Sequence, residues 1–143
     1  NLLDVGGGSG AFVGAVAKAY DHVNVGLIDL PPVAAQAKSR LASQPFADRL
    51  TVHGGSFFDT AMPVEPDCYS LVRVLYDHGD DAALMILKNI RASMADGDTL
   101  LIAEPMAGFD KVIAGVDISA VFHGEGIPAC FLVHTQAARD PQP

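Results

Sequence analysis

Basic residues, cysteines and long apolar runs are all scarce in this sequence of 143 residues. The nine Lys and Arg residues are outnumbered by 17 Asp and Glu, which gives a formal net charge of -8. A surface of this sign repels polyanions, so we expect no nucleic-acid partner. No apolar run approaches the length of about 18 residues that spans a bilayer, and no signal peptide is recognisable. We therefore expect no transmembrane segment and a cytoplasmic location.

The two cysteines, Cys68 and Cys130, are too few and too far apart for a disulfide framework or a zinc site. Neither stands in a C-x-x-C motif or next to a histidine at a ligand spacing. We interpret both as small buried hydrophobic residues and expect no metal site. The sequence starts at Asn1 and runs directly into an apolar segment, so we also expect it to be part of a longer chain.

Half of the residues are hydrophobic, enough to form the core of one domain. Short apolar runs alternate with helical patterns, which predicts an α/β fold with a doubly wound, mostly parallel sheet. Its ligand should lie at the carboxyl ends of the strands. The predicted strands are residues 2–5, 23–29, 50–53, 69–75 and 99–104. Helices are predicted at 11–20 and 31–43, and over a longer segment that contains Leu84, Leu87, Ile90 and Met94.

After residue 108 the pattern is weaker. Residues 111–121 fit either a strand or a helix, residues 129–134 fit a strand, and residues 135–143 form a polar tail that contains prolines. We expect this tail to fray.

The segment LLDVGGGSGAF places glycines directly between the first strand and the first helix. Glycines there let the chain turn tightly and let a ligand approach bare N–H groups at the positive end of the helix. We therefore expect a nucleotide-like cofactor across Gly6, Gly8 and Gly10. The same spacing fits a dinucleotide fingerprint, and Asp29 after the second strand would serve a ribose in either class of enzyme.

Three features favour S-adenosylmethionine over a dinucleotide. Asp4 lies two residues before the glycines, where it can orient their loop and the amino group of the cofactor. The third strand is followed by Ser56 and Phe57, which could form a polar edge and an aromatic wall for an adenine. The fourth strand leads into Tyr76-Asp77-His78, a cluster of acid and base groups that hydride transfer would not need.

Four segments in order, LLDVGGGSGAF, GLIDLPPV, LTVHGGSFFD and SLVRVLYDHGDDAALMILKNIRASMADGDTLLIAEPMAG, resemble small-molecule O-methyltransferases related to caffeate and hydroxyneurosporene O-methyltransferases. The likeness covers about residues 1–108 and is greatest to the bacterial carotenoid branch, while residues 109–143 diverge. The resemblance implies a Rossmann-like class I methyltransferase fold that binds S-adenosylmethionine. It also implies a parent protein that is a homodimer through an N-terminal domain absent from this sequence.

The resemblance assigns roles to residues of the cofactor site. Glycines 6, 8 and 10 would line the methionine part, Asp29 would accept hydrogen bonds from the ribose, and Phe57 and Leu30 would contact the adenine. Two other interpretations are open: Asp29 as a helix cap before Pro31, and Phe57 or Phe58 as core residues.

The candidate catalytic residues are Tyr76, Asp77, His78 and Glu104. Many relatives carry His-Asp-Trp where this chain has Tyr76-Asp77-His78, and their histidine is the base that deprotonates the acceptor. Tyrosine, with an ordinary pKa of about 10, is a poor base at neutral pH, so His78 could act in its place. On an extended strand the two side chains would share a face, which leaves their roles open. Glu104 would orient His78, or it would simply reach solvent at the strand end.

The sequence thus predicts an S-adenosylmethionine-dependent O-methyltransferase that acts on a hydroxyl of a small, apolar molecule such as a carotenoid or a phenol. One alternative is a truncated domain that binds the cofactor without catalysis. The other is an NAD(P)-dependent oxidoreductase.

Overall fold

A single six-stranded sheet forms the centre of the molecule. The computed structural model describes residues 1–59, 62 and 66–104 with their side chains, and residues 129–134 by their backbone. The strands are β1 Leu2–Val5, β2 Val25–Asp29, β3 Leu50–Gly54, β4 Cys68–Val72, β5 Thr99–Glu104 and β6 Ala129–His134. Their order is β3-β2-β1-β4-β5-β6, with β6 antiparallel to β5 and all other pairs parallel. The predicted doubly wound fold and the strand at residues 129–134 are confirmed.

Helices cover both faces of the sheet. They are α1 Ala11–Ala19, α2 Pro31–Leu41 and α3 Asp80–Ser93. One core combines the apolar faces of α1 and α2 with alternate residues of β1 and β2, among them Val13 and Leu27. The opposite core combines α3 residues such as Ile90 with residues on the other face of the sheet, among them Leu3 and Tyr69. The burial of β1 on both faces explains why the strand is an almost continuous apolar run.

The fourth strand is shorter than its sequence suggests. The branched residues predicted a strand to residue 75, but β4 ends at Val72, and this prediction was wrong. Arg73 adopts φ 56, in the left-handed region, and the chain then forms a 3₁₀ turn at Leu75–Asp77. Tyr76 and His78 therefore do not share one face of a strand. Smaller differences are a start of β2 at Val25 and an end of α2 at Leu41.

The topology brings the carboxyl ends of β1 to β5 to one edge of the sheet. The strand order reverses between β1 and β4, which is where doubly wound folds form a binding crevice. In the part of the chain that the structure describes, no helix is long and apolar enough to cross a membrane. The predictions for residues 111–121 and 135–143 lie outside the described residues.

Candidate functional site

The loop between β1 and α1 has a backbone conformation that residues with a side chain rarely adopt. Gly6, Gly8 and Gly10 have φ values of 75°, 54° and 77°. A Cβ on Gly6 would lie 2.8 Å from the Val74 side chain, and a Cβ on Gly10 would lie 2.5 Å from Leu41. Over Gly8, by contrast, nothing lies within 4 Å. The outer two glycines allow close packing, whereas the middle one leaves open space in which a ligand can contact the backbone. The N–H groups of all three donate within the protein, so the prediction that these glycines offer bare N–H groups was wrong.

Asp29 connects the end of β2 to this loop. The Gly8 N–H donates to Asp29 Oδ2 at 2.7 Å, and the Leu30 N–H donates to Oδ1 at 2.7 Å. Asp29 is half-buried, and each carboxylate oxygen retains a lone pair for a further donor such as a hydroxyl. Leu30, not Asp29, is the N-cap residue of α2, and it leaves its side chain 54% exposed beside the carboxylate.

Asp4 lies buried below the glycine loop. Its Oδ1 accepts a hydrogen bond of 2.7 Å from the Ser70 hydroxyl on β4, and its Oδ2 lies 3.1 Å from where a Cβ on Gly7 would be. Burial raises the pKa of Asp4 from 3.8 to about 7; the bond from Ser70 opposes this rise, and the charge of Asp29 adds to it. Sequence reasoning missed Ser70, although a hydroxyl within an apolar strand was a usable signal.

Three rings meet where the loop after β3 contacts the segment after β4. The ring centroids of Phe57 and Phe58 lie 4.9 Å apart, and the His78 ring lies 5.5 Å from Phe57 and 5.7 Å from Phe58, all edge to face. Ser56 starts the turn that carries these phenylalanines, and its Oγ accepts a hydrogen bond of 3.2 Å from the Phe58 N–H. The Phe57 ring also lies near Gly6, so this three-ring cluster borders the glycine loop.

Glu104 is buried at the end of β5 and binds the main chain of the β4–α3 segment. Its Oε1 accepts hydrogen bonds from the N–H groups of Val74 and Leu75 at 2.7 and 2.8 Å, and Oε2 accepts one from Tyr76 at 3.3 Å. The carboxylate is buried, so the interpretation of Glu104 as a strand-end group that reaches solvent was wrong. No hydrogen bond joins Glu104 to His78 among the described residues; the carboxylate instead orients the backbone of the turn. No sequence motif indicated these N–H partners.

The candidate acid and base groups differ in environment. Tyr76 is 70% exposed and Asp77 is exposed, whereas His78 is half-buried against the two phenylalanines. Within the described residues, no group of three or more His, Cys, Asp or Glu side chains could hold a metal ion. The carboxyl edge of the sheet therefore combines an open glycine backbone, a carboxylate with free lone pairs, an aromatic surface and one imidazole. Such a site can bind a nucleoside with a charged amino-acid end and can accept a proton.

Comparison with known proteins supports the family resemblance seen in the sequence motifs. A family model described as an O-methyltransferase domain matches residues 1–123, beyond the limit at 108 seen in the sequence motifs. Demethylspheroidene O-methyltransferase of Cereibacter sphaeroides is 47% identical over 107 residues, which are 75% of this chain and 28% of that protein. The protein of the same name from Rhodobacter capsulatus is 38% identical over 122 residues, 85% of this chain and 30% of that protein.

A solved structure is similar as well. The O-methyltransferase NcsB1 from neocarzinostatin biosynthesis, in complex with S-adenosylmethionine and 2-hydroxy-5-methyl naphthoic acid, has a TM-score of 0.71 at 34% identity. The match covers 75% of this chain and 33% of that chain. This chain thus spans about a third or less of the length of these three relatives.

Proposed function

Because the chain belongs to the O-methyltransferase domain family, we propose that it is the cofactor-binding and catalytic part of an S-adenosylmethionine-dependent O-methyltransferase. The observation that carries the proposal is the open backbone at Gly8, whose N–H is held by the Asp29 carboxylate. A ligand with hydroxyls and a charged amino-acid end fits there, because the free lone pairs of Asp29 adjoin the open space over Gly8.

Each part of the cofactor has a candidate partner in this chain. Gly6, Gly8 and Gly10 would line the methionine part, and Asp29 would accept hydrogen bonds from the ribose hydroxyls. The half-buried ring of Phe57, with Ser56 and the exposed Leu30 nearby, would contact the adenine. Asp4 supports the glycine loop from below, where its carboxylate can also attract the amino group through the loop. The bound cofactor supplies a methyl group activated on a sulfonium.

His78 is our candidate for the base that takes the proton of the acceptor hydroxyl. Its contact with Phe57 and Phe58 supports this choice, because the ring is held beside the proposed cofactor site. Tyr76 is mostly exposed, and at neutral pH a phenol is a less suitable base than an imidazole. Asp77 is exposed beside them, and Glu104 would act by holding the backbone of the turn.

The acceptor that we propose is a small, apolar hydroxylated molecule, either a carotenoid or a phenol. The names of the two demethylspheroidene O-methyltransferases and the naphthoic acid bound to NcsB1 support these two classes. We further propose that the whole protein is cytoplasmic and a homodimer. Light scattering of the full-length protein would test the oligomeric state.

Cofactor binding can be tested by calorimetry with S-adenosylhomocysteine and, separately, with NADH. We expect saturable binding of the first and none of the second. Asp29→Ala should weaken binding by about 1 to 3 kcal/mol, because the ribose and the Gly8 N–H both lose an acceptor. The control is Asp59→Ala, an exposed carboxylate in the neighbouring loop. Binding of NADH alone would reject the methyltransferase in favour of an oxidoreductase.

Catalysis is tested by transfer of a labelled methyl group to hydroxylated carotenoids and phenols. If His78 is the base, His78→Ala should abolish transfer while Tyr76→Phe retains it; the reverse result would assign the role to Tyr76. Binding of S-adenosylhomocysteine without transfer to any acceptor would favour a non-catalytic cofactor-binding domain.

A further inference from the structure

A buried amide on α3 holds the backbone that carries the two phenylalanines. Asn89 is 9% exposed, and its Nδ2 donates to the carbonyl oxygens of Phe57 at 3.3 Å and Phe58 at 2.7 Å. One amide nitrogen has two hydrogens, so a single side chain serves two consecutive carbonyls. These bonds join segments 31 to 32 residues apart in the chain.

Asn89 is an unfavourable choice for the helix itself. It lies between the buried residues Ile86 and Ile90 on the face that packs against the sheet. Asparagine has a lower helix propensity than leucine, and a buried amide must find partners or lose stability. The contact with the loop after β3 supplies those partners, so the identity of this residue is explained by the loop rather than by the helix.

The loop contact has a consequence at the site. With two consecutive carbonyls fixed, the backbone that carries the rings of Phe57 and Phe58 is restrained. These rings are the ones that contact His78, and Phe57 also lies near Gly6. Phe57 also packs against the core that contains Ile90, but among the described residues Asn89 makes the only hydrogen bonds between the phenylalanine loop and α3.

We propose that Asn89 is a positioning residue that fixes the Phe57-Phe58 backbone, so that the two rings form one wall of the cofactor site and hold His78 against it. The proposal rests on the function proposed above and assigns to it a buried residue that acts through the phenylalanine loop.

The first test is a double-mutant cycle read by calorimetry with S-adenosylhomocysteine. Asn89→Asp replaces the donor by an oxygen that faces two carbonyls, and we expect a dissociation constant raised about fivefold or more. In a Phe57→Ala background the same change should have an effect of less than about twofold, because the wall is already lost. The control is Ser93→Ala on the same helix. It removes a hydrogen bond of 3.1 Å to the backbone carbonyl of Asn89 but leaves the side-chain amide of Asn89 intact.

A second readout needs no cofactor. The sequence contains no tryptophan, so Phe58→Trp introduces a single tryptophan into the cluster, and its emission lies at longer wavelength than that of the three tyrosines. Adding Asn89→Asp should shift its emission to longer wavelength, whereas adding Ser93→Ala should not. Should Asn89→Asp fail to fold, Asn89→Leu is scored by the same two measurements.

The outcomes of these tests separate the positioning role of Asn89 from the proposed methyltransferase function. An unchanged emission together with an unchanged dissociation constant in folded Asn89→Asp would overturn the positioning role, and so would an equal loss of binding in the Phe57→Ala background. If the unmodified protein does not bind S-adenosylhomocysteine, the proposed function fails, while the tryptophan emission still decides whether Asn89 positions the loop.

Discussion

The buried carboxyl group of Asp4 should make the stability of this protein depend on pH. Its pKa is raised from 3.8 to about 7, chiefly because burial disfavours the charged form. The folded protein therefore holds this proton more tightly than the unfolded chain does. The stability contributed by the protonated form is fully present below pH 3.8 and is lost as the pH rises through about 7.

The size of the effect follows from the two pKa values. A rise from 3.8 to about 7, at about 1.4 kcal/mol for each pH unit, corresponds to about 4 kcal/mol in the free energy of unfolding. This is large beside the roughly 5 to 15 kcal/mol that stabilises a typical domain. Asp4→Asn retains an oxygen to accept from the Ser70 hydroxyl but cannot ionise. We expect the variant and the unmodified protein to be similar near pH 4, and the variant to be the more stable one at pH 8.

The assay is urea unfolding followed by circular dichroism at several pH values between 4 and 8, with the difference between the two proteins as the quantity of interest. Asp59→Asn is the matched control, since that carboxylate is exposed. A difference between Asp4→Asn and the unmodified protein that stays constant from pH 4 to pH 8 would refute the reasoning.

Four further substitutions test the backbone of the site by thermal or urea unfolding. Gly8→Ala should lower stability by about 1 to 2 kcal/mol because of its positive φ, and should also weaken binding of S-adenosylhomocysteine; Gly10→Ala should cost about 1 to 3 kcal/mol more, since its Cβ meets α2. An equal loss of stability in both variants would contradict this difference. Arg73→Gly should leave stability unchanged or raise it by up to about 1 kcal/mol, as it removes the strain of a left-handed residue; a clear loss would show that the side chain matters more. Glu104→Gln should cost about 1 to 3 kcal/mol, because an amide hydrogen would face N–H donors; unchanged stability would mean that the turn does not depend on the carboxylate.

The same glycine motif shows how far sequence reasoning extends into the site. Three glycines between a strand and a helix predicted a loop open to a ligand, and the structure has a positive φ at each of them. What the motif did not distinguish is their separate functions. Gly6 and Gly10 adjoin side chains from β4–α3 and α2, whereas only Gly8 faces open space. That difference depends on residues that lie far away in the chain.

The turn after β4 shows where local reasoning fails. The branched residues before Tyr76 have a high preference for strands, and the pattern continued to residue 75. The chain nevertheless leaves the sheet at Arg73, and the next N–H groups are bound by Glu104, about 30 residues later. A buried carboxylate with three N–H donors outweighs a propensity of a fraction of a kcal/mol for each residue.

Periodicity, glycine spacing and the branched strand residues are local properties, and they were enough to determine the order of strands and helices and to bring the candidate residues to the carboxyl edge of the sheet. Tertiary structure alone decided which groups bind one another there: Asp4 with Ser70, Glu104 with the turn that carries Tyr76, and Asn89 with the phenylalanine loop. The physical reason is that a buried polar group is satisfied by whichever partner the folded chain brings within hydrogen-bonding distance, and for these three residues that partner is 28 to 66 residues away.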